Sequence, residues 1–156
     1  RLPAGGMSDP AADDSILETQ RRFIGSFLAA VPHMKALGVR YRDHGPTWAE
    51  LEMPYAPHLV AYPETGVIAS GAIFSLMDNC AGFAVAMRMR EYRRHATLDL
   101  RCDYLRPATP QRTVIGRAEC IRMTRRVAFV RGIAHDGEPD HPIAHVSGTF
   151  MLAGEG

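Results

Sequence analysis

The chain has 156 residues and a formal net charge of +1, with apolar and charged fractions ordinary for a globular protein. That length suits one domain with a sizeable core, and the near-balanced charge, without a basic stripe between aromatics, gives no case for nucleic-acid binding. Cys80, Cys102 and Cys120 are odd in number and lack CxxC spacing, which fits reduced thiols in a cytosolic protein rather than a disulfide framework.

Residues Arg1 to Gly6 precede Met7, a plausible start, and read as an upstream extension; no secretory signal is visible. Residues 1–14 are small and polar and are expected to be disordered, leaving a single domain over 15–156. Asp13-Asp14-Ser15 can start a helix in which Ile16, Phe23, Ile24, Phe27, Leu28 and Val31 keep helical spacing until Pro32. A short turn from Met34 to Leu37 leads to Gly38. Val39–Arg42 and Thr47–Met53 read as a hairpin through His44-Gly45-Pro46, and the proline-rich stretch Pro54–Thr65 as a loop.

Val67 to Met87, VIASGAIFSLMDNCAGFAVAM, is the most apolar part of the chain, and only Ser70, Ser75, Asp78 and Asn79 have strongly polar side chains there. Its length raises a transmembrane reading, but an Asp near the centre costs roughly +2.5 to 3.5 kcal/mol on insertion scales. A helix apolar all round is equally the core of a globular domain, and that reading is adopted. Ser70 is expected to cap this helix, and its basic C-terminal end complements the dipole. A lone carboxylate among apolar neighbours must be paired, hydrated or put to work, so Asp78 is the first candidate for chemistry.

After His95 the pattern changes. Thr97 to Leu105 alternates, with Leu98, Leu100, Cys102 and Tyr104 on one face. Thr113–Met123, Arg126–His135 and Ile143–Leu152 follow as further strands. An antiparallel sheet wrapped on one buried helix satisfies this order, an α+β architecture.

With Ser70 as cap, Gly71 offers a backbone N–H at the positive end of the helix, where it can polarise a carbonyl oxygen. Gly71 lies roughly 10 Å from Asp78 along the helix axis, too far to share one carbonyl within a chain. A two-fold pairing of chains brings Gly71 of one copy to Asp78 of the other, so a shared site predicts a homodimer.

The pattern SGAIFSLMDNCAG followed by TLDLRCDYLRPA resembles the hotdog-fold acyl-CoA thioesterases of the phenylacetate-pathway and four-hydroxybenzoyl type, from about Leu37 onward. The resemblance implies a long helix wrapped by an antiparallel sheet, with sites at the interface of dimers that often pair into tetramers. It also implies hydrolysis of an acyl-CoA, with CoA as part of the substrate and no cofactor. In that frame Asp78 takes the place of the catalytic acid, general base or nucleophile. Gly71 falls on the second glycine of the family's His-Gly-Gly motif, Ser70 on the first and Ala69 on the histidine. An upstream asparagine falls at Pro63, so backbone donors and the Ser70 hydroxyl remain to hold the carbonyl. Thr97 occupies the place of a hydroxyl residue that holds the attacking water.

Arginines in turns suit phosphate, which makes Arg106, Arg122, Arg125 and Arg126 candidates for the CoA phosphates. Phe74, Gly82 and Val85 are expected to line an apolar acyl pocket. His141 and His145 sit some 13 Å apart along a strand, too far for one ion, and no metal site is assigned. Cys80 reads as a small core residue. A hotdog acyl-CoA hydratase or dehydratase, and a non-catalytic acyl-CoA binder, are the alternatives.

Overall fold

The structure is a computed structural model that describes residues 10–89 and 91–154. The disorder expected of residues 1–9 lies outside these. Residues 10–14, assigned to the same extension, instead begin a helix, α1 (Pro10–Ala30). Pro32 starts an element rather than only stopping one, its fixed φ being suited to the first helical position: the expected turn is a second helix, α2 (Pro32–Leu37). Gly38 closes α2 at φ 69°, its N–H bonding the Lys35 carbonyl.

The hairpin β1 (Arg40–His44) and β2 (Trp48–Met53) follows as expected. The stretch read as a loop holds a 3-10 turn (Pro57–Leu59) and a strand, β3 (Val60–Tyr62), which pairs with β4 (Val67–Ile68). Then come the long helix α3 (Ser70–Arg88) and four strands: β5 (His95–Tyr104), β6 (Val114–Met123), β7 (Val127–His135) and β8 (Ala144–Leu152). The main sheet is antiparallel in the order β1-β2-β6-β7-β8-β5, so β5 forms one edge.

This sheet wraps α3. Leu76, Met77, Cys80, Ala81, Ala84 and Val85 are each 0% exposed. Full burial of Leu76, Met77 or Val85 stabilises by about 1.5–3 kcal/mol each. Glycines let the helix come this close: a Cβ at Gly116 would stand 2.8 Å from the Met77 sulfur, and one at Gly132 3.0 Å from its terminal methyl. The Cys80 thiol donates to the carbonyls of Ala49 and Gly116, and burial pushes its pKa up to about 12. α3 is long and apolar enough to cross a membrane by composition, but its buried residues are spent on the sheet.

Candidate active site

The sheet leaves one stripe of α3 uncovered. Gly71, Phe74, Ser75, Asp78, Asn79 and Gly82 recur at helical spacing and are exposed or half-buried. Asp78 is therefore half-buried at the edge of the core, not enclosed within it. Its Oδ1 accepts a hydrogen bond from Thr97 Oγ1 at 2.8 Å. The Thr97 side of this pair is open to solvent.

A β-bulge aims Thr97 at the acid. Thr97 pairs with Phe150 and Asp99 with Thr149, leaving Leu98 as the extra residue of β5. Strict alternation would group Leu98 with Leu100, Cys102 and Tyr104 and send Thr97 to the opposite face. The bulge reverses this. Leu98 turns outward, 57% exposed, and Thr97 joins Phe150 on the face toward α3.

Asp78 and Thr97 sit at one side of a cavity of about 230 Å³ between α1, α3, β5 and β8. Its walls include Phe23, Phe27, Phe83, Tyr92, His95 and Phe150. Their rings form a continuous series: Phe27–Phe83 at 5.3 Å between centroids, Phe83–Phe23 at 6.3 Å and Phe23–Tyr92 at 5.4 Å. Tyr92–His95 at 6.1 Å and His95–Phe150 at 6.0 Å complete it. Most of these contacts are edge-to-face, the arrangement that ring quadrupoles favour. His95 is fixed by contacts to main-chain oxygens, Nε2 to Gly82 at 3.0 Å and Nδ1 to Arg93 at 3.3 Å. Asn79 is tied back to its own helix through the Ser75 carbonyl. One turn before Asp78, His33 of α2 meets the Ser75 hydroxyl at 3.0 Å. None of these wall residues except Gly82 is singled out by the sequence. The spacing of Phe23 and Phe27 is visible there, but only as part of an apolar stripe of a helix. Of the other expected pocket positions, Phe74 shares the uncovered stripe but lies a turn nearer the helix start and faces outward, and Val85 is enclosed in the core on another face.

At the start of α3 the cap is Ala69, not Ser70. Ala69 has extended backbone angles and its carbonyl accepts from Ala72, which makes Ser70 the first helical residue. No side-chain cap is made; instead the Tyr104 hydroxyl donates to the Ser70 carbonyl at 2.8 Å. Burial pushes the Tyr104 phenol pKa up. Gly71 is exposed with open space around its Cα, and its N–H meets no acceptor among the described residues. A groove of about 530 Å³ borders this end, lined by Tyr62, Val67, Ser70, Tyr104 and Arg106 among others, with no carboxylate on its walls.

The arginines divide. Arg106 is not a free turn cation: its guanidinium makes a bidentate pair with the buried Asp136 carboxylate at 2.7 and 3.0 Å and also bonds the His141 carbonyl. The pair holds the Asp136 carboxyl well below the usual carboxylate range, assisted by the Thr109 N–H. Arg122 lies within β6 beside a bulge rather than in a turn. Arg125 and Arg126 do form the β6–β7 turn and, with Arg93, border a recess of about 220 Å³.

The comparisons with known proteins agree on a family. The model of the thioesterase superfamily matches residues 65–143. The medium/long-chain acyl-CoA thioesterase YigI of Escherichia coli is 27% identical over 140 residues, covering 81% of this chain and 88% of that protein. A solved Pseudomonas aeruginosa protein is 40% identical with a TM-score of 0.75, over 87% of this chain and 98% of its own. A thioesterase family protein from Silicibacter pomeroyi is 26% identical with a TM-score of 0.76, over 87% of this chain and 99% of that one. The E. coli PaaI protein of the phenylacetic acid degradation operon, 16% identical with a TM-score of 0.76 over 88% and 96% of the two chains, shares the fold.

Proposed function

Since the chain belongs to the thioesterase superfamily and is a thioester hydrolase of the hotdog fold, we propose that it hydrolyses acyl-CoA at the Asp78–Thr97 pair. The observation that carries this reading is the 2.8 Å bond from Thr97 to Asp78 at the mouth of an apolar cavity. With Oδ1 held by Thr97, the second oxygen of Asp78 is free to take a proton from water. The Thr97 hydroxyl, donating to the acid, still has lone pairs to accept the water's other hydrogen. The water oxygen then attacks the thioester carbon. The carbonyl electrons move to oxygen, and their return expels the CoA thiolate and leaves the free acid. A thiolate leaves readily, so no strong acid is needed opposite the base. Direct attack by Asp78 is the second reading; the Thr97 hydroxyl, a second anchor for water, favours the first.

The oxyanion needs a donor, and the Gly71 N–H of a second copy is assigned to it. Two features support a two-fold pair. Gly71 and Asp78 share the uncovered stripe of α3 but lie roughly 10 Å apart along it. The edge strand β5 exposes Leu98 beside the site. Arg125 and Arg126 are assigned to CoA phosphates across such a pair. Within one chain the Arg126 carbonyl accepts from Leu152, the partner of the wall residue His95, so this turn lies on the His95 side of the cavity.

Thiol release from a panel of acyl-CoAs tests the activity, and mixed pairs test the sharing. Gly71→Pro removes the N–H at a first-turn position that tolerates proline. That variant and Asp78→Asn are each expected to be inactive, yet to regain thiol release when co-folded, because each mixed pair rebuilds one complete site. Full activity of either variant alone would defeat the assignment.

A further inference from the structure

The thioester chemistry above leaves open where the acyl group goes, and the aromatic cavity answers it. We propose that the acyl group seats in the cavity between α1, α3 and β5, and that Phe23 and Phe27 of α1 set the longest chain it accepts. The inference rests on the acyl-CoA reading of Asp78 and Thr97 and adds a specificity role to residues that this reading does not use.

Three observations converge. Asp78 and Thr97 border this cavity, so a carbonyl held against them can turn its substituent inward. The wall away from Asp78 is aromatic, and the N–H of the His95 ring is spent on a main-chain carbonyl, that of Gly82 or Arg93 according to tautomer. Such a wall favours hydrocarbon, with Asp78, Asn79 and Thr97 gathered on the side where the carbonyl is held. Finally, Gly82 keeps room open: a Cβ there would meet only His95 and Phe150, each at 3.7 Å.

The far wall belongs to α1. Phe27 meets Phe83 edge-to-face at 5.3 Å, and Phe23 bridges Phe83 to Tyr92. α1, Pro10–Ala30, lies ahead of residues 65–143 that match the superfamily model. An apolar cavity of about 150 Å³ accepts benzene, and by proportion the 230 Å³ here suits a hydrocarbon group of about nine carbons. Phe23 and Phe27 are 39% and 41% exposed, so a longer tail meets them at the cavity's rim.

The test is kcat/KM for straight-chain acyl-CoAs from acetyl to palmitoyl, with Phe23→Ala, Phe27→Ala and Gly82→Leu beside the unaltered protein. The unaltered protein should peak at medium length. Each Phe→Ala change should raise the palmitoyl-to-octanoyl ratio at least tenfold, about the lower limit of what one methylene is worth in an apolar pocket. Gly82→Leu should suppress octanoyl turnover and spare acetyl. Binding of the same series to the Asp78→Asn protein reads the seat without turnover. Failure of every acyl-CoA to be cleaved would overturn the hydrolase assignment, while binding would still judge the seat. Profiles of folded variants that superimpose on the unaltered one, in turnover and in binding, would overturn the proposal.

Discussion

Arg106→Ala should destabilise the fold rather than weaken a phosphate contact. The Asp136 side chain is 3% exposed and its bidentate partner Arg106 25% exposed. Removing one member of a buried pair leaves an uncompensated charge, at a cost of about 3–5 kcal/mol. With a quarter of the guanidinium in solvent, the low end, about 3 kcal/mol, is expected. At about 2–4 °C per kcal/mol for a chain of this size, Tm falls by about 6–12 °C at pH 7. The effect depends on pH in a definite sense. The Asp136 pKa is depressed in the folded state, so its contribution is present above the ordinary carboxylate range and is lost as pH falls through and below that range. The difference in Tm between the unaltered protein and Arg106→Ala should therefore shrink on acidification. Replacing both residues by leucine should cost less than removing Arg106 alone, because no charge is left buried. Thermal unfolding by circular dichroism reads all three. An Arg106→Ala protein with unchanged Tm, or one whose deficit grows at low pH, would refute the reasoning.

Thr97→Val removes the hydroxyl beside Asp78 at nearly constant volume; kcat for thiol release should fall about 10²-fold with KM little changed, and Thr97→Ser should restore most of it. A shape effect alone would not distinguish serine from valine. Replacing Arg125 and Arg126 together by alanine should raise KM for acyl-CoA but not for the corresponding acyl-pantetheine, which lacks the nucleotide phosphates; equal effects on both would remove these arginines from the phosphate assignment. Cys80, fully buried with its pKa at about 12, should resist iodoacetamide at pH 8 until the protein is unfolded, as read by peptide mass spectrometry.

The long helix and the last strands were legible in the sequence because their periods are strong. A continuous apolar run of helical length followed by four strand candidates, the first alternating, leaves few arrangements. The small β3–β4 hairpin was not legible: a proline-rich stretch argues for a loop, and two-residue pairings carry no period. Ser70 is a better capping residue than Ala69 by type, yet the chain leaves β4 at Ile68 and enters the helix at once, which pushes Ser70 inside. Thr97 shows the limit of local reading. Period-two alternation puts it on the wrong face, and the single-residue bulge at Leu98 that corrects this has no distinctive composition; only the family resemblance pointed there. The engagement of Arg106 depends on Asp136, thirty positions away, and no spacing rule connects them. Phe23 and Phe27 were visible as a stripe, but what a stripe packs against is settled by the tertiary fold.

The most direct test of the account is the Asp78→Asn protein with octanoyl-CoA, measuring binding and free thiol on the same sample. Saturable binding with thiol release reduced by at least about 10²-fold is the expected result, since the asparagine keeps the size and the Thr97 contact but cannot accept the proton. Undiminished thiol release from that protein would contradict it.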